Sequence, residues 1–212
     1  MAFELTNRCA APIARFLFAH GAGAPCDSDF MNSLSDLLVA RHIEVVRFEF
    51  AYMAQRRIDG IKRPPAREPV LTAQWQDMIN RYRHTEPELP LFIGGKSMGG
   101  RMASLVADAA VVSGLICLGY PFHPQRKPDV LRVAHLAQLA TPTLIVQGTR
   151  DALGNRDEVG DYRLSPAIRL HWLEDGDHDL APRVKSGFTH QQHWVSAADA
   201  IEIFIREKLR NS

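Results

Sequence analysis

The chain has 212 residues, 46% of them hydrophobic, with 25 Lys and Arg set against 24 Asp and Glu for a formal net charge of +1. That length suits one domain with a sizeable core, here read as 1–212, and the balanced charge supplies no field toward nucleic acid or an anionic membrane, so neither is expected as a partner. Three cysteines (Cys9, Cys26, Cys117) without framework spacing argue against a disulfide scaffold or a zinc ribbon.

The first apolar run, "IARFLFAH" (13–20), predicts a strand, and it ends in the small-residue turn "HGAG". Glu4, Arg15 and His20 break the pattern of a secretory signal, and no stretch reaches the ~18 apolar residues of a membrane span. A cytoplasmic location is expected. Residues 29–41 place Phe30, Leu34, Leu37 and Leu38 on one helical face, and "IEVVRFEF" (43–50) predicts a second strand. The stretch 51–69 follows, with five basic residues, two acidic residues and three prolines. It predicts a long connection, either a solvated loop or a rim over a site.

A helix over 70–83 carries Leu71, Trp75, Met78 and Tyr82. Strands follow at 89–95, 114–120, 142–148 and 168–174, with helices over 98–110 and about 191–210. Several strands are continuously apolar, as strands buried on both faces are. Strand and helix in alternation predict an α/β fold: a doubly wound, mostly parallel sheet with helices on both faces.

"LFIGGKSMGG" (91–100) overlays two motifs. A phosphate-binding loop needs glycine five residues before Gly95, where Pro90 stands, and Leu91 to Gly94 belong to a strand. That excludes the nucleotide reading. G-x-S-x-G fits at Gly95, Ser97 and Gly99, between strand and helix, and such a turn exposes a nucleophilic serine at the end of a sheet. A serine needs a base and an orienting acid. Asp151, in "GTRD", and His178, in "DGDHD", each follow a strand, in the chain order Ser, Asp, His that this arrangement uses. Asp175, Asp177 and Asp179 have calcium-loop spacing, but Leu180 and Ser186 stand where Gly and Glu are required. One of them remains an alternative orienting acid. His190 and His193 read as first-turn helix residues rather than metal ligands, and no metal or cofactor is expected.

An oxyanion needs amide donors. Met98, after the serine, is one, and Ala22 in "HGAG" is the other, with Gly23 as second choice. Tyr120, Phe122 and His123 in "GYPFHP" are expected to wall the pocket. Arg101 and the basic residues Arg56, Arg57, Lys62, Arg63 and Arg67 are candidates to attract an acidic group on the substrate, unless they are solvated or paired with carboxylates. Lys96 is expected to point away from the pocket, because Ser97 points in.

Taken together, "HGAGAP", "GGKSMGGR", "GYPFHP", "QGTRD" and "GDHD" make the chain resemble the α/β-hydrolase superfamily, in its small, capless, dienelactone-hydrolase-like branch. "GGKSMGGR" and "GYPFHP" are similar to a hydrolase family related to testis-expressed proteins and a subunit of the NSL chromatin complex. The resemblance implies an eight-stranded type of sheet trimmed at its first strands. It also implies serine-hydrolase activity of the carboxylesterase type on a small ester or thioester. Ser97 stands where dienelactone hydrolase has cysteine. Acyl transfer or perhydrolysis with the same three residues, and a non-catalytic interaction module on a hydrolase scaffold, are the alternatives.

Overall fold

The computed structural model describes residues 3–85 and 87–210. Seven strands form one sheet: β1 (Glu4–Asn7), β2 (Ala14–Ala19), β3 (Ile43–Phe48), β4 (Leu91–Lys96), β5 (Gly114–Leu118), β6 (Thr143–Gly148) and β7 (Ile168–Leu173). Their order across the sheet is β1-β3-β2-β4-β5-β6-β7. All neighbours are parallel except β1, which pairs antiparallel with β3 through Glu4↔Phe48 to Asn7↔Val45. β1 is a strand the sequence reading lacks. Four mixed residues, "ELTN", carry no apolar run to announce it.

The helices are α1 (Asp29–Val39), α2 (Ala51–Asp59), α3 (Glu68–Thr85), α4 (Met98–Ser104), α5 (Ala107–Ala110), α6 (Arg156–Gly160) and α7 (His190–Arg210). The helix expected over 98–110 is two pieces. Its ladder tightens at Leu105 and Val106, whose amides bond three residues back to Met102 and Ala103. The expected loop over 51–69 begins as α2, which buries Tyr52 and Met53 and stops at Gly60 in a left-handed conformation.

Alternation along each strand sorts the core into two layers. Leu17, Val46, Ile93, Leu115 and Ile145 face a cluster completed by Trp75 of α3 and Met102 of α4. Phe16, Phe18, Val45, Phe92, Ile116 and Leu144 face Leu34 and Leu38 of α1 and Ile201 and Phe204 of α7. Strands buried on both faces favour apolar residues on both, which is why β4, β5 and β6 read as nearly continuous apolar runs, while the buried Arg15 of β2 pairs with Glu44 of β3.

From β2 the chain steps to β3 on one side, then returns to place β4 on the other side of β2. The loops leaving β2 and β4 therefore diverge and leave a crevice between them at the C-terminal strand ends, where ligands bind in sheets of this kind. The crevice is narrow because backbones touch there. A Cβ on Gly95 would lie 2.5 Å from the Ala19 carbonyl oxygen and 2.8 Å from the Gly100 amide nitrogen. Gly95→Ala is expected to destabilise the fold by about 1–3 kcal/mol through overpacking. Gly160→Ala, where nothing lies within 4 Å, is expected to be neutral or slightly stabilising. Urea unfolding of the two variants side by side measures the difference.

Candidate active site

β4 delivers Ser97 to the crevice through a sharp turn. Ser97 has φ 50 and ψ −115, and α4 starts with the next residue. A side chain in this region of backbone space costs on the order of 1–3 kcal/mol and persists only when its surroundings fix it. Three contacts do so. The Ser97 amide donates to Leu118 O of β5 at 2.9 Å, the Arg101 amide donates to Ser97 O at 3.0 Å, and the buried Trp75 indole donates to Gly99 O at 3.2 Å. Gly99 itself sits where a Cβ would meet the His20 carbonyl oxygen at 2.6 Å.

The loop after β7 brings His178 over this serine. His178 Nε2 lies 2.8 Å from Ser97 Oγ, and Nδ1 lies 2.9 Å from Asp151 Oδ2 and 3.1 Å from Oδ1. A carboxylate accepts, so these partners assign the ring proton to Nδ1. Nε2 then carries a lone pair and accepts from the Ser97 hydroxyl. Asp151 is fully buried. The other three aspartates have partners of their own. Asp175 pairs with Arg183 and Arg150, Asp177 accepts from the Asp179 and Ala181 amides, and Asp179 pairs with Lys96 at 3.1 Å. Of the described aspartates, only Asp151 is hydrogen bonded to the His178 ring.

Two residues that sequence reasoning missed hold this arrangement. Gln147 is fully buried on β6, and its Nε2 shares two N–H groups among Asp151 Oδ2 at 2.8 Å, Gly154 O at 3.0 Å and Tyr120 O at 3.2 Å. It also accepts from the Tyr120 amide at 2.7 Å. A polar residue inside the apolar run "PTLIVQG" was the available signal. Lys96, expected to point away, instead runs beneath the histidine loop. Its Nζ donates to His178 O at 2.7 Å, and it lines the cleft. Burial pulls its pKa below the ordinary lysine value, while Asp179 opposes the shift. Strand alternation fixes where its Cβ points but not where a four-carbon chain ends.

The "HGAG" loop is fixed by its carbonyls. His20 is fully buried, its Nδ1 lies 2.5 Å from Gly21 O, and its Nε2 accepts from the Phe50 amide at 3.2 Å. The Tyr52 hydroxyl donates to Ala22 O at 3.0 Å, and Arg56 donates to Gly23 O at 3.3 Å. In a trans peptide N–H and C=O point opposite ways. Holding Gly21 O therefore aims the Ala22 amide away from it. Neither the Ala22 nor the Met98 amide has an acceptor among the described residues, and both residues line the cleft beside Ser97.

The cleft has two arms meeting at Ser97, Ala22 and Leu153. One, of about 340 Å³, lies under Pro65, Ala66, Leu71, Met102 and Pro121. The other, of about 460 Å³, is bounded by Phe30, Met31, Lys96 and His178. Both fall in the size range of small-molecule sites. Tyr120, Phe122 and His123 do not wall either arm. All three are buried behind Pro121, because aromatic side chains leaving β5 turn into the core. There the Tyr120 hydroxyl meets Ser104 Oγ at 3.3 Å, and Phe122 packs on Tyr162 with ring centroids 5.7 Å apart. His123 contacts Pro124 O at 2.9 Å.

The basic residues are largely taken. Arg57 pairs with Glu49 and Asp27, Arg63 with Asp59, and Arg101 with Glu68, at 2.6 to 2.7 Å. The 51–69 segment does form a rim, through Pro65, Ala66 and Glu68 rather than through its basic residues. His193 is buried on α7 and contacts Leu180 O at 2.8 Å, bracing the histidine loop. No group of three or more metal-ligating side chains converges among the described residues, and no helix among them is long and apolar enough to cross a membrane.

A family model described as an alpha/beta hydrolase domain matches residues 12–206. Among solved structures, a dienelactone hydrolase from Anabaena variabilis superposes with a TM-score of 0.73 at 17% identity, covering 96% of this chain and 90% of that one. An alpha-beta serine hydrolase homologue from Coxiella burnetii gives 0.70 at 16% identity, covering 96% and 90%. A serine hydrolase without lid from Xanthomonas campestris gives 0.65 at 16%, covering 96% and 88%. At these identities the likeness is one of fold.

Two outcomes follow from the packing. Gln147→Leu removes partners from Asp151, the Tyr120 amide and two carbonyls, and each buried group left unpaired costs about 1–3 kcal/mol. Its urea midpoint is expected to fall well below that of wild type, and Gln147→Glu, which keeps the acceptor for Tyr120 but sets a carboxylate against Asp151 Oδ2 and two carbonyls, is expected to fall at least as far. Burial also holds His20, His135 and His171 below the ordinary histidine pKa of 6.5. The unfolded chain therefore binds protons first as pH drops, and stability is present above about 6.5 and lost below it. The lowered aspartates Asp27 and Asp108 act only below their ordinary value of 3.8. Urea midpoints are expected to decline from pH 7 to pH 5, and a flat profile over that window contradicts the assignment.

Proposed function

Since the chain belongs to the alpha/beta hydrolase domain family, we propose that it is a serine hydrolase. In this proposal it opens a carboxylic ester or thioester of a small substrate by way of an acyl group carried on Ser97. One observation carries the proposal: the unbroken contact from Asp151 through His178 to Ser97, at 2.9 and 2.8 Å, at the crevice beside β2.

In the first half of the cycle Ser97 Oγ adds to the acyl carbonyl carbon, and its proton passes to His178 Nε2. Asp151 holds the ring and stabilises the imidazolium that forms. The carbonyl oxygen becomes an oxyanion and accepts from the Ala22 and Met98 amides, each donor of this kind being worth roughly 3–4 kcal/mol. Collapse breaks the bond to the leaving oxygen or sulfur, which departs with the proton from His178. Water then repeats the sequence on the acyl-enzyme and releases the acid. The cycle closes with substrate, water and these side chains, and no cofactor enters it.

Transfer of the acyl group to another acceptor shares the first half, so products decide between hydrolysis and transfer. The finer likeness to the testis-expressed and NSL-subunit group rests on "GGKSMGGR" and "GYPFHP" alone. An interaction module has no use for a buried Asp151 held by Gln147 against His178, which favours the enzyme.

A fluorophosphonate probe is expected to label Ser97 in the folded protein and to leave Ser97→Ala unlabelled. His178→Ala is expected to slow ester turnover by about 1,000-fold or more. Folded wild-type protein that takes no label and turns over no ester or thioester in a panel of short acyl groups sinks the proposal.

A further inference from the structure

The two arms of the cleft are chemically unequal, and the position of His178 tells them apart. The departing atom must receive its proton from His178 Nε2. The leaving group therefore occupies the arm that His178 lines, and the acyl group extends into the other, of about 340 Å³. That acyl arm has apolar walls, including Pro65, Leu71 and Met102, and three charged residues: Arg101, Arg132 and Glu68.

Glu68 pairs with Arg101 at 2.7 Å. Arg132 has no ion pair, and its guanidinium has no hydrogen bond, among the described residues. Its backbone alone is engaged: the amide donates to Phe122 O at 2.7 Å, and its carbonyl accepts from the Tyr120 hydroxyl at 3.4 Å. Burial and the neighbouring Arg101 both pull Arg132 below the ordinary arginine pKa. Nearby His135 is lowered by the same two causes and adds no charge at neutral pH. One positive charge is thus left uncompensated in a partly dry pocket, on a main chain tied at two points. Proteins rarely leave a part-buried guanidinium unpaired, and its fork matches a carboxylate.

On the premise of acyl transfer at Ser97, we infer that Arg132 binds a carboxylate at the far end of the acyl group. The preferred substrate is then a half-ester or half-thioester of a short dicarboxylic acid. A carboxylate, rather than a phosphate dianion, balances the single uncompensated charge. The arginines of the 51–69 segment play no part in this selection, since none of them lines either arm, and Arg57 and Arg63 already face carboxylates.

The test compares the umbelliferyl half-ester of adipic acid with umbelliferyl hexanoate, which matches it in length without the charge. In parallel, calorimetry measures binding of adipamate, hexanamide and inorganic phosphate. Wild-type kcat/KM is expected to favour the half-ester by about 10- to 100-fold, the range of a charge-assisted bidentate contact. Arg132→Gln brings the ratio near one and Arg132→Glu inverts it, while Arg163→Gln, at an exposed site, leaves it unchanged. Adipamate binds wild type more tightly than hexanamide or phosphate, and Arg132→Gln removes that difference. If both esters turn over with no charge preference, the carboxylate site is overturned and the hydrolase stands. If neither ester turns over but adipamate binding depends on Arg132, the hydrolase falls and the site stands. Tighter binding of phosphate than of adipamate overturns the assignment of the anion as a carboxylate.

Discussion

The close contact between the ends of β2 and β4 governs the rest of the molecule. Ser97 occupies backbone space that a side chain avoids, with φ 50, and a turn this tight would relax if anything near it were loose. Nothing is. β4 is clamped between β2 and β5, and Gly95 and Gly99 let the Ala19 and His20 carbonyls approach to distances no Cβ permits. Trp75 closes the turn from α3. The same contact sets the width of the crevice and so the distance between Ser97 and the amide of Ala22. Strain at one residue and geometry at the proposed site are consequences of one packing arrangement.

A second layer of support comes from the segment whose composition suggested a solvated loop. Tyr52 and Arg56 of α2 hold the Ala22 and Gly23 carbonyls, and Arg57 ties α2 to Glu49 and Asp27. With His20 holding Gly21 O, three successive carbonyls of the loop are engaged from behind. The positive charge that seemed available to a substrate is spent on holding a loop that lines the cleft and carries the Ala22 amide of the proposed oxyanion site. Preorganised dipoles of this sort stabilise developing charge because they need not reorient when it forms.

How much of this the sequence disclosed depended on the range of the interaction. Ser97, with glycines two residues either side, is a local pattern and was legible at once. Asp151 and His178 were legible as polar residues following strands, because parallel topology puts the C-terminal ends of β2 through β7 on one edge. The six longest strands were legible as short runs dominated by apolar residues, most nearly continuous in β4, β5 and β6, where both faces are buried. β1 was not, being short and paired by its backbone. Tyr120, Phe122 and His123 were misplaced because the choice between cleft and core at a loop is made by packing, which a list of residues does not contain. Gln147, Lys96 and Arg132 escaped for a related reason. What distinguishes them is whom they touch, or in the case of Arg132 whom its side chain does not touch, and those relations span distant parts of the chain.

The placement of Lys96 has a mechanical meaning. Ser97 and His178 are 81 residues apart along the chain, a span over which small displacements of helices and loops could accumulate. Lys96 shortens that path. It grips the His178 carbonyl while its immediate neighbour in the chain, Ser97, meets the His178 ring. The spacing between the two reacting atoms is therefore gauged like the jaws of a caliper, across a two-residue frame and one histidine. Displacing the histidine ring from Ser97 then means breaking the Lys96 grip on its backbone as well as the contacts of the ring itself.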